Sequence, residues 1–253
     1  MTNKMDSFET ILEGDLYIAG PCSIESKEQL FRIAKEVKES GANVLRGGAF
    51  KPRTDPDSFQ GLGKEGIEYL LEAREKFNMP VITELVDYNH LDMFEDIDII
   101  QIGARNMQNF ELLKAVAKLD KYVLLKRNMG ATVDELIAAS NYLRANGNNK
   151  IILCERGIRT FEPSTRYTFD VNSIAVLKDK TDLRVVADPS HATGISKYVQ
   201  SAALAGIAAG SDGLIIEVHD DPNIALTDKN QAILPEELKT IIDKAKKIKD
   251  IIK

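Results

Sequence analysis

The sequence predicts an α/β protein folded as a single (β/α)8 TIM barrel. Short β-rich runs alternate with longer amphipathic runs from one end of the chain to the other, several of the strand runs are almost wholly apolar, and no linker, low-complexity tract or break in composition divides them. Parallel neighbours need a crossover, usually a helix, and a parallel strand is buried on both faces, so its polar face disappears. A chain of 253 residues can bury one large core, and one α/β barrel commonly has this size. An open doubly wound sheet permits the same alternation. The barrel is preferred because eight βα units fit closure and no Gly-rich dinucleotide fingerprint follows any strand.

Taken in order, the strand candidates are LYIAG (16–20), NVLRG (43–47), PVITEL (80–85), DIIQIG (98–103), YVLLKR (122–127), KIILCE (150–155), RVVADP (184–189) and GLIIEV (213–218). Their starts recur every 18 to 37 residues, the spacing of a βα repeat. Residues 1–14 form a short N-terminal extension, and the barrel domain is expected over 15–253 with no separate regulatory domain. Between strands the apolar period becomes helical. Residues 27–39 (KEQLFRIAKEVKE) place Leu30, Ile33, Ala34 and Val37 on one stripe. Residues 132–145 open with Thr132 and carry Glu135 three residues later, a capping-box pattern. Helices are also expected over 196–209 and over 235–252, the latter starting at Pro235. Gly41, Gly147 and Gly210 fall just past helical runs, where a left-handed residue ends the helix.

A net charge of −6 argues against broad nucleic-acid or membrane-surface binding, which wants a basic face, but allows a local cationic pocket. No stretch approaches the ~18 apolar residues of a membrane span, and MTNKMDSFETILEGD lacks the apolar run of a signal peptide. The two cysteines, Cys22 and Cys154, form no CxxC, which points to a reducing compartment and no disulfide framework. The expectation is a cytoplasmic protein with neither nucleic acid nor membrane as partner.

In a barrel, chemistry gathers at the C-terminal ends of the strands. Those ends give Gly20-Pro21-Cys22, then Arg46 with the loop KPRT (51–54), then Glu84, then Gln101 with Arg105 beyond it. Lys126 and Arg127, Glu155 and Arg156, Asp188 and His191 follow, and last Glu217 and His219 with Asp228. A convergent polar mouth is the simplest account of so regular a placement. The groups sort by chemistry. Arg46, Lys51, Arg53, Arg105, Lys126, Arg127 and Arg156 are cations whose joint desolvation is unfavourable unless anions bind among them. The planar Arg fork suits phosphate or carboxylate, so a ligand with several anionic groups fits. Arg127 is the weakest member, because strand alternation turns it away from Lys126. Cys22, His191, Glu217 and Asp228 could close around one divalent ion, and their mixed donors suit Mn2+, Fe2+, Co2+ or Zn2+ better than Mg2+. His219 shares its strand face with Glu217 and could be a ligand or a partner of one. His90 reads as surface, and Cys154 as a small buried apolar residue.

The motifs GPCSIES (20–26), LRGGAFKPRT (45–54), SFQGLG (58–63), QIGARNMQNFELL (101–113), LLKRNMG (124–130), ILCERGIRTFE (152–162), DPSHATG (188–194) and IEVHDDPNIALTD (216–228) resemble those of the short, type I 3-deoxy-D-arabino-heptulosonate 7-phosphate (DAHP) synthases. The similarity covers nearly the whole chain. KPRT also separates that group from the sister 3-deoxy-octulosonate 8-phosphate synthases, which carry KANRS there. The resemblance implies condensation of phosphoenolpyruvate with erythrose 4-phosphate and water to give DAHP and phosphate, the first step of the shikimate route to aromatic amino acids. It implies one divalent metal ion per subunit on Cys22, His191, Glu217 and Asp228, with Mn2+ foremost and Fe2+, Co2+, Zn2+ or Cd2+ as alternatives. Arg105, Lys126 and Arg156 match positions around the phosphoenolpyruvate phosphate, and Arg46 and Lys51 those at its carboxylate and reacting end. Arg53 and Thr54 match the part of the loop that receives the sugar phosphate. Gln101, Ala104 and Asp188 match further substrate-binding positions, and Glu84 a carboxylate near the bound water. Lys51, Glu84, Cys22 and His191 are the expected catalytic residues. A homodimer or homotetramer is implied as well.

Those residue types suit the chemistry. An enol-phosphate carbon is a weak nucleophile, and a metal can polarise the aldehyde that it attacks. Cationic charge then develops at the phosphate-bearing carbon, where water adds; Glu84 or a metal-bound hydroxide could take the proton. Lys51 could protonate the forming alkoxide, while Arg and Lys hold the phosphoryl group throughout. The chain departs from the family pattern at Asp55, where Ser usually follows KPRT, at Asn128, where Gly is frequent, and at ISKYV (195–199), which lacks a usual Arg. These departures bear on the aldose-phosphate end more than on the phosphoenolpyruvate end. The short extension leads one to expect no inhibition by tyrosine, phenylalanine or prephenate within this chain. Rival readings are an octulosonate 8-phosphate synthase, a Schiff-base aldolase using Lys126, and a non-catalytic sensor of phosphate ligands.

Overall fold

The computed structural model describes residues 4–52 and 57–252. Its strands are β1 (Leu16–Gly20), β2 (Val44–Arg46), β3 (Val81–Glu84), β4 (Ile99–Ile102), β5 (Tyr122–Lys126), β6 (Ile151–Glu155), β7 (Arg184–Ala187) and β8 (Gly213–Glu217). They pair in chain order, all parallel, in a closed barrel. Closure comes from β1 and β8, in register from Leu16↔Gly213 to Gly20↔Glu217, and it leaves no sheet edge to protect. Every strand expected from sequence is present, trimmed by up to two residues at an end.

The helices are α1 (Lys4–Glu13), α2 (Lys27–Glu39), α3 (Lys64–Phe77), α4 (Phe110–Ala117), α5 (Val133–Ala145), α6 (Val171–Lys180), α7 (Pro189–Thr193), α8 (Ser196–Ala208) and α9 (Pro235–Ile252). At the start of α5, Thr132 and Glu135 make the expected capping box, each side chain accepting from the other's backbone N–H. Gly41, Gly147 and Gly210 have φ of 98°, 97° and 96°, the left-handed geometry that ends a helix. One crossover differs from a βα unit. The connection between β3 and β4 is the shortest of them and is crossed by a 3-10 helix, Tyr88–Phe94, which Asp87 caps by accepting from the Asn89 N–H at 2.8 Å. The segment expected as an extension contains α1, whose Leu12 is buried in one cluster with the inward-facing strand residues. No helix of the described residues is long and apolar enough to cross a membrane.

Strand alternation divides the core into two layers. Leu16, Ile18, Val44, Ile82, Ile99, Leu124, Ile152, Val186 and Ile215 fill the barrel, while Tyr17, Ala19, Leu45, Ile100, Val123, Leu153 and Val185 pack outward against the helices. Each buried Leu, Ile or Val contributes about 1.5–3 kcal/mol of transfer free energy. The interior layer also sets what comes next. Two residues past Val44, Ile82, Ile99, Leu124, Val186 and Ile215, with the same parity, stand Arg46, Glu84, Gln101, Lys126, Asp188 and Glu217. The inward apolar layer therefore hands over to an inward polar layer at the C-terminal ends of the strands.

Candidate active site

That polar layer floors a cleft of about 730 Å³, part of it open to solvent. Arg46, Lys51, Glu84, Gln101, Ala104, Arg105, Lys126, Arg156, His191 and Asp228 all line it. The cations are held by different means. Lys126 Nζ lies 2.6 Å from Asp188 Oδ2, both fully buried. Arg105 Nη1 donates to the Pro52 carbonyl at 3.0 Å, which ties the β4 loop to the β2 loop. Arg156 is 4% exposed, with its guanidinium 4.3 Å from the centre of the Tyr167 ring, and its Nε and Nη1 are buried without a hydrogen-bond partner. Buried donors of a fixed cation left unpaired are unfavourable by more than the ~1–3 kcal/mol of a neutral group, so this wall is built for an anion.

Glu84 and Gln101 form a second feature. Gln101 Nε2 donates to Glu84 Oε2 at 3.0 Å, so the carboxylate is held from the neighbouring strand with its other oxygen toward Gly103. A carboxylate fixed at the edge of a cationic cleft can accept a proton from a molecule bound there.

At the base of the cleft, one ligand atom each of Cys22, Glu217 and Asp228 lies within 4.8 Å of the other two. Cys22 Sγ donates to Asp228 Oδ2 at 3.0 Å, and Lys51 Nζ donates to the same sulfur at 3.0 Å. Glu217 Oε1 is buried without a hydrogen-bond partner. That oxygen is ion-paired with Arg46 Nη1 at 3.1 Å, and with the neighbouring thiol and second carboxylate it makes a mixed S/O donor set that fits a divalent cation. His191 stands beside this trio, with Nε2 3.4 Å from Glu217 Oε1. Its Nδ1 is 2.8 Å from Asp188 Oδ2, which favours the proton on Nδ1 and leaves the Nε2 lone pair facing the carboxylates. Burial pushes the Cys22 thiol up to about 12, with Glu217 adding to it. Burial also works against ionised Asp188, but His191 and Lys126 outweigh it and hold the carboxyl well below the usual range. Burial lowers the pKa of His191 against the pull of Asp188.

Two expected members of the mouth point the other way. Arg127 and Glu155 have the outward parity of their strands and find each other at 2.9 Å, with Asp170 at 2.8 Å from the same Arg nitrogen. They are a buried structural ion pair between β5, β6 and α6, not part of the cleft. His219 is not among the converging ligand atoms of Cys22, Glu217 and Asp228. Its Nε2 is 3.2 Å from Gln29 Nε2, and its Nδ1 accepts from the Asp221 N–H at 3.0 Å. His90, expected at the surface, is half-buried and stacks on Phe50 with ring centres 4.4 Å apart. Arg53, Thr54 and Asp55 lie outside the described residues.

Arg166 and Tyr167 also line the cleft, although neither sits at a strand end. They belong to the loop after β6, which pairs with α7 through Arg166 N–H to Thr193 O and Tyr167 N–H to Ala192 O, both at 2.9 Å. Gly194, with φ 67°, lets that loop approach, since a Cβ there would meet Arg166 Cβ at 2.5 Å. The STR sequence before Tyr167 offers no periodicity from which such a placement could be read.

The sequence profile of the DAHP synthetase I family matches residues 8–253. A phospho-2-dehydro-3-deoxyheptonate aldolase of Thermotoga maritima is 47% identical over 236 residues, 93% of this chain and 70% of the relative. A 2-dehydro-3-deoxyphosphooctonate aldolase of Desulfotalea psychrophila is 31% identical over 254 residues, 92% of this chain and 89% of the relative. A crystal structure of the T. maritima phospho-2-dehydro-3-deoxyheptonate aldolase superposes with a TM-score of 0.91 at 46% identity, covering 94% of this chain and 71% of that one. A truncated form of 3-deoxy-D-arabino-heptulosonate 7-phosphate synthase from the same organism gives a TM-score of 0.87 at 42% identity, over 94% and 87% of the two chains. With its profile match spanning almost the whole sequence and the same barrel in its relatives, this chain belongs to the DAHP synthetase I family.

Proposed function

We propose that the chain condenses phosphoenolpyruvate with D-erythrose 4-phosphate and water, giving DAHP and inorganic phosphate. The observation that carries this reading is the cleft itself. A wall of cations with unpaired buried donors on Arg156 faces a base where Cys22, Glu217 and Asp228 converge. Higher identity to the heptulosonate relative than to the octulosonate one, 47% against 31%, supports erythrose 4-phosphate over arabinose 5-phosphate as the acceptor.

In this reading Arg105, Lys126 and Arg156 hold the phosphoryl group of phosphoenolpyruvate, and Arg46 pairs with its carboxylate. Lys126, paired with Asp188 at 2.6 Å, serves as a charge and not as an amine nucleophile. A divalent ion, held by Cys22, Glu217, Asp228 and His191, would supply Lewis acidity at the aldehyde oxygen. Lys51, 3.0 Å from Cys22 Sγ and on the cleft wall, delivers a proton to the alkoxide as the carbon–carbon bond forms. Glu84 accepts the proton of the water that adds to the phosphate-bearing carbon. Phosphate then leaves by carbon–oxygen cleavage, and the same Arg and Lys groups stabilise it as it departs. Arg53 and Thr54 are assigned to the sugar phosphate. We place the enzyme in the cytoplasm as a homodimer or homotetramer.

The test is phosphate release from phosphoenolpyruvate with erythrose 4-phosphate, with and without EDTA, followed by add-back of Mn2+, Fe2+, Co2+, Zn2+ or Cd2+. Loss on chelation and recovery on add-back are expected, with arabinose 5-phosphate turned over poorly and no covalent trapping by borohydride. Chelator-resistant turnover with borohydride trapping at Lys126 would replace this reading by the Schiff-base aldolase.

A further inference from the structure

We propose that Gln231, anchored by Arg166, is a positioning residue that fixes which oxygen of Glu217 and of Asp228 is offered to a metal ion; this rests on the metal reading given above. Gln231 is 2% exposed and sits behind Glu217. Its amide has one consistent orientation. Arg166 can only donate, so Gln231 Oε1 receives its Nη1 at 3.0 Å. An ionised carboxylate can only accept, so Gln231 Nε2 donates to Glu217 Oε2 at 2.7 Å. Turning the amide over would set donor against donor and acceptor against acceptor. The same Arg166 nitrogen reaches Asp228 Oδ1 at 3.3 Å.

The backbone reinforces this link. The Gln231 N–H donates to Asp228 O at 3.1 Å, the Ile233 N–H to Glu217 O at 3.0 Å, and the His219 N–H to Ile233 O at 3.1 Å. Residues 228–233 are thereby stitched to the end of β8, and Asp228 is held at φ 48°, a left-handed conformation uncommon outside glycine.

Each carboxylate consequently has one oxygen tied from outside and one turned inward. For Glu217, Oε2 is taken by Gln231, while Oε1 lies 3.1 Å from Arg46 Nη1 and 3.4 Å from His191 Nε2. For Asp228, Oδ1 is taken by Arg166, and Oδ2 accepts from Cys22. Carboxylates held in this way offer a cation one oxygen each. Without Gln231, Glu217 can rotate to meet the Arg46 guanidinium with both oxygens, the bidentate arrangement Arg favours, and is withdrawn from the ion. Partners of this outer kind typically change metal affinity by about 10- to 100-fold.

The experiment titrates Co2+ into the metal-stripped full chain by calorimetry and records the visible Co2+ bands, for wild type, Cys22→Ser, Gln231→Met and Arg166→Met. Met keeps the length of either side chain and removes its hydrogen bonds, and thermal melting of the metal-free forms checks folding. Gln231→Met should weaken Co2+ binding about 10- to 100-fold and alter the visible bands, because the coordination changes. Arg166→Met should shift both readouts the same way by less, and it serves as the test if Gln231→Met does not fold. Wild-type affinity and wild-type bands in the folded variants would overturn the positioning role while the metal reading stands. Wild type that takes up no Co2+, or binds it no better than Cys22→Ser, would overturn the metal reading and this proposal with it.

Discussion

Gly103→Ala is the sharpest probe of the reaction proposed for the cleft. Gly103 has φ −65° and ψ 157°, extended backbone that alanine adopts without strain. The glycine is needed only for space. A Cβ at position 103 would stand 2.0 Å from Glu84 Oε1 and 2.7 Å from its carboxyl carbon. Restoring a tolerable contact requires the carboxylate to retreat by roughly 1–1.4 Å, away from its 3.0 Å bond to Gln101 Nε2. A catalytic group misplaced by about 1 Å can lose about 100-fold in rate, or about 2.7 kcal/mol of barrier. Gly103→Ala is therefore expected to lower kcat about 100-fold with an unchanged melting temperature. Because it acts through Glu84, adding it to Glu84→Gln should cost little more than Glu84→Gln alone. Steady-state phosphate release separates kcat from KM in the two single variants and the double variant. Wild-type kcat in Gly103→Ala, or losses that multiply in the double variant, would refute both the steric account and the role given to Glu84.

Two further predictions concern stability. Tyr17 is 4% exposed, its hydroxyl has no hydrogen-bond partner, and burial, with Asp15 and Asp250 adding to it, pushes its pKa up to about 12. The folded state holds the phenolic proton more tightly than the unfolded chain, whose tyrosine titrates near ~10, so stability present below that pH is lost as pH climbs toward 12. Tyr17→Phe should raise stability at pH 8 by about 1–3 kcal/mol and flatten the alkaline decline in urea unfolding at pH 8 and 11; a less stable variant with the same decline would count against it. Arg127→Met should destabilise the fold by about 3–5 kcal/mol, because it leaves the Glu155 carboxylate buried without its 2.9 Å partner. In the folded variant KM for phosphoenolpyruvate should stay at the wild-type value, and a raised KM with wild-type stability would return Arg127 to the cleft.

The barrel was legible because its signals are periodic. Apolar runs such as IIQI and VLLK mark strands buried on both faces, and the stripe of Leu30, Ile33, Ala34 and Val37 marks a helix packed on them. The capping box at Thr132 and the glycines at 41, 147 and 210 are local rules that tertiary structure did not override. The connection after β3 is where such reasoning stops. It is the shortest of the crossovers, and a 3-10 helix spans it in place of an α-helix. That shorter path brings His90 against Phe50, directly before Lys51, so a residue type common at surfaces becomes a half-buried packing group.

The same parity that revealed the interior also explains which part of the site could be read. Lys126 and Arg127 are neighbours with the same charge, yet one turns to the cleft and the other to α6, because successive side chains on a strand face opposite ways. Composition groups such residues together, and only the register separates them. Loop residues have no register. Arg166 and Gln231 look in the sequence like solvated polar positions, yet Arg166 reaches Asp228 across 62 residues and Gln231 across 65, and Gln231 reaches Glu217 across 14. Such contacts exist only after the barrel has closed and brought the β6 and β8 loops side by side. Strand ends, fixed by pleat and period, supply the groups proposed to meet substrate. The groups that set the geometry of those ends come from loops and can be read only from the folded chain.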